Sequence, residues 1–135
     1  MLRLNPYLSF QAETRAAMEF YQSVLGGDLV IDTFEGYEEM GISPDDMHLV
    51  MHAQLTTPGG LVLMASDTPP GMPYQAAAGV SVSLSGNDSE ALQAAWDGLA
   101  ADGTVTLPYE IPPWGGKFGM LIDRFGIPWM VAADA

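Results

Sequence analysis

Hydrophobic and polar residues alternate with a period of two in several short stretches of this chain, and two longer stretches follow helical spacing instead. Over residues 4–10, Leu8 and Phe10 point to one side and Asn5, Tyr7 and Ser9 to the other, which predicts a strand. Ala17, Phe20, Tyr21, Val24 and Leu25 make one apolar stripe, predicting a helix from about Glu13 to Leu25. Its start carries no clear capping signal. Its end falls at Gly26-Gly27, where glycine takes a left-handed C-cap at least cost. Leu29 to Phe34 is apolar and β-branched, hence a strand. Residues 35–46 form an acidic loop and 47–57 a longer strand. In that strand Leu49, Met51, Ala53 and Leu55 share one face, and His48, Val50, His52 and Gln54 the other. Pro58-Gly59-Gly60 turns the chain into the next strand, Leu61 to Ser66.

Residues 67–78, rich in proline and small side chains, read as a linker, after which the order repeats. Val80, Val82 and Leu84 alternate with Ser81, Ser83 and Ser85. Asn87 and Glu90 stand at capping-box spacing before a helix striped by Leu92, Ala95, Trp96 and Leu99 and ended by Gly103. Thr104 to Leu107 is a strand and Pro108 to Pro113 a loop. Trp114 to Trp129 then reads as strand, turn, strand, with Asp123 as a turn former and Gly126 free to take a positive φ. Leu8, Phe10 and Leu25 correspond to Val82, Leu84 and Leu99 at a constant offset of 74, and Leu63-Met64 to Trp129-Met130 at an offset of 66. This internal repeat predicts an α+β fold of two β-α-β-β-β modules, residues 1–70 and 76–135, within one domain spanning 1–135.

The pattern W-G-x-x-x-G-x-x-x-D-x-F-G-x-x-W over Trp114 to Trp129 resembles the last hairpin of the vicinal oxygen chelate superfamily, the glyoxalase and bleomycin-resistance proteins, and is closest to their PhnB-like branch. The stretch Met51-His52-Ala53-Gln54-Leu55 is similar to an M-H-A-x-L sequence of that branch. The resemblance implies paired modules curled into a curved, half-open mixed or antiparallel sheet around a small-molecule cavity. It also implies a homodimer, in keeping with open sheet edges that invite pairing. Many members hold a divalent metal with histidine, glutamine and glutamate from the first and last strands of each module. Here the corresponding positions carry Asn5, Met64, Gly79 and Met130. Glycine has no side chain to offer and a thioether is a poor ligand for a hard or borderline cation, so no metal and no other cofactor is expected.

His48 and His52 are the only histidines. On one strand face they stand roughly 13 Å apart at about 3.3 Å per residue, too far to share an ion. For His48 a hydrogen-bonded or surface role is expected. His52 faces the implied cavity from mid-strand, and imidazole titrates near neutrality, so it is the candidate for binding or acid–base catalysis. Asn5, Tyr7, Met64, Trp114 and Met130 complete the candidate ligand-binding set, with Phe118 and Tyr109 as further aromatic candidates. Trp129 is assigned to the core. Lys117 and Arg124 are expected to form surface ion pairs, with an anionic ligand as the alternative.

Composition narrows the function classes. The formal charge of −13, with Arg3, Arg15, Lys117 and Arg124 the only cations, argues against nucleic acid and anionic membranes as partners. There is no cysteine, hence no disulfide framework and no thiolate zinc site. No run of 18 apolar residues occurs and the start lacks an extended apolar signal core, which implies a cytoplasmic protein. No glycine fingerprint for a nucleotide or methyl donor is present. Three function classes follow: a small-molecule-binding protein without metal, an enzyme (lyase, isomerase or transferase chemistry) using His52 or an atypical metal site, or a structural or interaction module with no ligand.

Overall fold

The computed structural model describes all 135 residues. Its internal contacts divide the chain into two units, Met1–Ala76 and Ala77–Ala135. The first contains β1 (Tyr7–Phe10), α1 (Thr14–Leu25), β2 (Asp28–Thr33), β3 (Val50–Thr56) and β4 (Val62–Asp67), with two short 3-10 turns between β2 and β3. The second contains β5 (Val82–Gly86), α2 (Ser89–Ala100), β6 (Thr104–Glu110), β7 (Lys117–Ile122) and β8 (Pro128–Ala133). The repeat of strand, helix and three strands is therefore present in both. No helix is long and apolar enough to cross a membrane.

In the first unit the strand order is β1-β4-β3-β2. β1 runs parallel to β4, and the other pairs are antiparallel. α1 packs on the face that presents Leu8, Phe10, Ala53, Leu55, Leu63 and Ala65, all buried. β1 is shorter than the alternation predicts, because Pro6 has no N–H to donate to a ladder; Asn5 therefore lies outside the strand, although the Pro6 carbonyl still accepts from Met64 N at 3.2 Å. The strand predicted over 47–57 also begins later, at Val50, and its alternation breaks. Asp32 faces His52 while the next residue, Thr33, faces Val50, so Met51 is the extra residue of a β-bulge. Leu49 and Val50 are consequently both buried, and His48 is exposed on a turn rather than on the strand. At the end of α1 the backbone of Gly27 has φ +105°, and a Cβ there would stand 2.1 Å from the Thr56 carbonyl oxygen, so only glycine fits.

The missing capping signal of α1 is supplied from 53 residues away. Asp67, buried at the end of β4, accepts from Thr14 N through Oδ1 at 3.0 Å and from Val50 N through Oδ2 at 2.8 Å. One carboxylate thus satisfies the first turn of the helix and the start of β3 together.

In the second unit the order is β5-β8-β7-β6, again with one parallel pair, β5 with β8. Leu121, Trp129 and Val131 are buried on the side of the sheet that α2 covers. α2 starts one residue later than the Asn87 capping box implies: Asp88 is the cap, its side chain accepting from Ala91 N at 3.1 Å. β6 extends through Pro108 to Glu110, where a loop is predicted. Proline is tolerated because β6 is an edge strand and its register is interrupted on both sides of Leu107. The two offsets of the repeat would align Val82 with Val131, whereas Val82 pairs with Trp129. The slip is two residues, an even number, so every side chain keeps its face.

Asp123 closes the β7–β8 hairpin. Its Oδ1 accepts from Phe125 N at 2.8 Å and Ile127 N at 3.1 Å, and its Oδ2 accepts from the Trp129 indole at 2.9 Å. Beneath α2, Trp96 and Tyr109 stack with ring centroids 5.1 Å apart. Gly119 makes room for them, since a Cβ there would stand 2.8 Å from the Trp96 ring. The Tyr109 hydroxyl is buried with no hydrogen-bond partner in the chain. Loss of solvation there raises the phenol pKa above its ordinary 10.0.

Two outcomes are expected. Asp67→Ala strands two buried amides and should lower unfolding free energy by about 3 kcal/mol in urea titrations. Asp67→Asn should recover little of it, because the amide NH₂ would face an N–H donor. For Tyr109, the unfolded chain releases its proton near pH 10 while the folded chain retains it, so stability falls as pH rises above that point. In an absorbance titration one tyrosine should ionise later than the others, and Tyr109→Phe should remove that late step.

Candidate functional site

β1, β4 and β3 carry one row of side chains across the helix-free face of the first unit. Tyr7 lies opposite Met64, and Met64 opposite Gln54. His52 lies two residues along β3 from Gln54, on the same face, next to the bulge at Met51. Bulges of this kind re-aim neighbouring side chains. The Tyr7 hydroxyl is 3.1 Å from His52 Nδ1, and the two rings stand 5.7 Å apart at 34°. With the phenol donating, Nδ1 is the acceptor and Nε2 carries the ring proton; with the other tautomer, Nδ1–H donates to the phenol oxygen. Either way the imidazole is oriented and Nε2 is left for another partner. Tyr7 is half-exposed and His52 half-buried.

The sequence-predicted residues therefore divide. Tyr7, His52 and Met64 come together in the first unit. Asn5 precedes the strand, half-buried. In the second unit Met130 sits between Ser83 and Met120 on the helix-free face. Trp114 is 79% exposed on the turn closed by Gly115 N and the Pro112 carbonyl. Phe118 shares the face of Met130, whereas Tyr109, one residue before the partner of Phe118 on β6, is turned to the helix side and packs under Trp96.

The two cations behave differently. Arg124 forms an ion pair with Asp102 at 3.6 Å and donates to the Ala101 carbonyl, as expected. Lys117 makes no ion pair: its Nζ donates to Gln93 Oε1 at 2.7 Å and lies 4.6 Å from the Tyr109 ring centroid. Gln93 and Asp67 were not legible as partners from sequence. Their roles depend on contacts 24 and 53 residues away, which no local pattern signals.

At the four positions where the resemblance implies metal ligands, the side chains are poor donors for a divalent ion. Met64 and Met130 offer thioethers. Gly79 has φ +73° and nothing within 4 Å of the position a Cβ would take. Asn5 alone supplies an oxygen donor. No three His, Cys, Asp or Glu side chains gather in an arrangement able to hold an ion.

A family model described as 3-demethylubiquinone-9 3-methyltransferase matches residues 3–132. Protein PA1353 from Pseudomonas aeruginosa is 36% identical, with a TM-score of 0.84 over 99% of this chain and 98% of that one. Protein YjdN from Escherichia coli (strain K12) is 29% identical over 95% of this chain and 92% of its own. A PhnB protein from Bacillus cereus shares the fold at a TM-score of 0.78 and 24% identity, over 98% of this chain and 100% of that one. Structures of the glyoxalase/bleomycin resistance/dioxygenase superfamily share the fold as well. Alongside the repeated four-stranded mixed sheets and the terminal hairpin, the family-model match over residues 3–132 shows that the chain belongs to the family so described.

Proposed function

We propose that the protein binds a small organic molecule on the helix-free sheet surface around Tyr7 and His52, without a divalent metal. The observation that carries this reading is the Tyr7–His52 pair, an oriented polar group on a sheet face that also carries Met64 and Gln54. A polar anchor beside a thioether and an aromatic ring suits a ligand that is largely apolar with one or two hydrogen-bonding groups. The donor set at the four ligand positions supports the metal-free part of the reading.

The family description names a methyl transfer. This chain has no glycine fingerprint for a nucleotide-linked methyl donor, which supports binding over that reaction. One observation favours a second reading, an enzyme: the phenol–imidazole contact fixes His52 with Nε2 directed elsewhere, an arrangement suited to moving a proton to or from a bound molecule.

Methyl and imidazole NMR signals give the test. In a fragment screen, compounds that bind should shift the Met64 methyl and the His52 ring signals without added metal. Tyr7→Phe and His52→Ala should each weaken them by about tenfold, the loss of one hydrogen bond. Binding that leaves both signals in place, or that requires a divalent ion, would contradict the proposal. Turnover of a bound compound abolished by His52→Ala would establish the second reading.

A further inference from the structure

Lys117 is the only lysine in a chain with 17 carboxylate side chains, yet it forms no ion pair. Its partners are neutral. The Gln93 carbonyl oxygen accepts from Nζ at 2.7 Å, and the Tyr109 ring lies beneath it at 4.6 Å. Gln93 is itself oriented, because its Nε2 donates to Asp97 Oδ1 at 3.1 Å. An amide and an aromatic face thus hold a half-buried ammonium in place without neutralising it, and an ammonium has three protons to donate.

A groove of about 490 Å³ opens beside this ammonium, within the range of small-molecule sites. Gln93, Tyr109, Ile111, Lys117 and Ala133 line it, with Glu90 and Asp134. Lys117 pairs with Ala133 across β7 and β8 and shares the helix side of the sheet with Gly119 and Val131. Met130 and Phe118 occupy the other side, so the groove is separate from the helix-free faces. Ile111 is 75% exposed and gives the groove an apolar wall that a ligand would cover.

We propose that this groove binds the carboxylate of a small organic acid. Lys117 takes the carboxylate oxygens, and Ile111 and Ala133 take the apolar remainder. Two acidic groups in the lining, in a chain of net charge −13, oppose a dianion more strongly than a monoanion, which selects carboxylate over phosphate.

Amide NMR titrations with benzoate, benzyl alcohol and inorganic phosphate test this. Benzoate should give saturable shifts at Gln93, Tyr109 and Lys117 with a Kd of about 1 mM, leaving His52 unmoved. Benzyl alcohol and phosphate should bind at least about tenfold more weakly. Lys117→Met should lose the benzoate effect and Lys117→Arg should keep it, each with a dispersed spectrum. The unsubstituted protein decides the matter even if Lys117→Met fails to fold. Benzyl alcohol or phosphate saturating as readily as benzoate, shifts centred on His52, or no saturation by roughly 10 mM would each overturn the proposal.

Discussion

Each half of this fold is tied by one buried carboxylate that serves several backbone or ring donors at once. Asp67 joins the first turn of α1 to the start of β3, and Asp123 joins the last hairpin to the Trp129 indole. A buried carboxylate is stable only when its lone pairs are used, and here two or three donors converge on each. The consequence for function is positional. Fixing Val50 N holds the residue that flanks the Met51 bulge, and the bulge precedes His52. Asp67 thus anchors β3 just ahead of the bulge, from the helix-covered side of the sheet.

Much of this was legible in the sequence because sheets with one covered face write a period of two. Alternation puts Leu8 and Phe10 on one face, and Trp129 reads as core; all three are buried. The resemblance puts Met64 and Met130 at ligand positions, and both lie on helix-free faces. The repeat carried the element order, and an even slip in register left the faces intact. What failed was local. A bulge adds one residue without any composition signal, so alternation puts Val50 on the face of His52, whereas Val50 is buried. Pro108 reads as a breaker unless the strand is known to be an edge. The cap of α1 lies in a distant part of the chain, so no window around Glu13 could show it.

The candidate site was legible to a smaller degree. The resemblance, with alternation along each strand, places Tyr7, His52 and Met64 around one cavity, but not the hydrogen bond that makes Tyr7 and His52 a unit. Lys117 read as a surface cation seeking an acid. The structure gives it a neutral amide and an aromatic face instead, a choice with consequences in a protein so rich in carboxylates. The same sequence thus offers two chemically different surfaces, one built on an imidazole–phenol pair and one on an ammonium held by a neutral amide.

The proposed binding uses no divalent metal, where the resemblance to the vicinal oxygen chelate proteins implies one. Elemental analysis of protein purified without chelator or metal-affinity steps tests it most directly. Less than about a tenth of an equivalent of any divalent ion is expected, with folding unchanged in chelator. One equivalent of a divalent metal per chain, lost on His52→Ala, would contradict it.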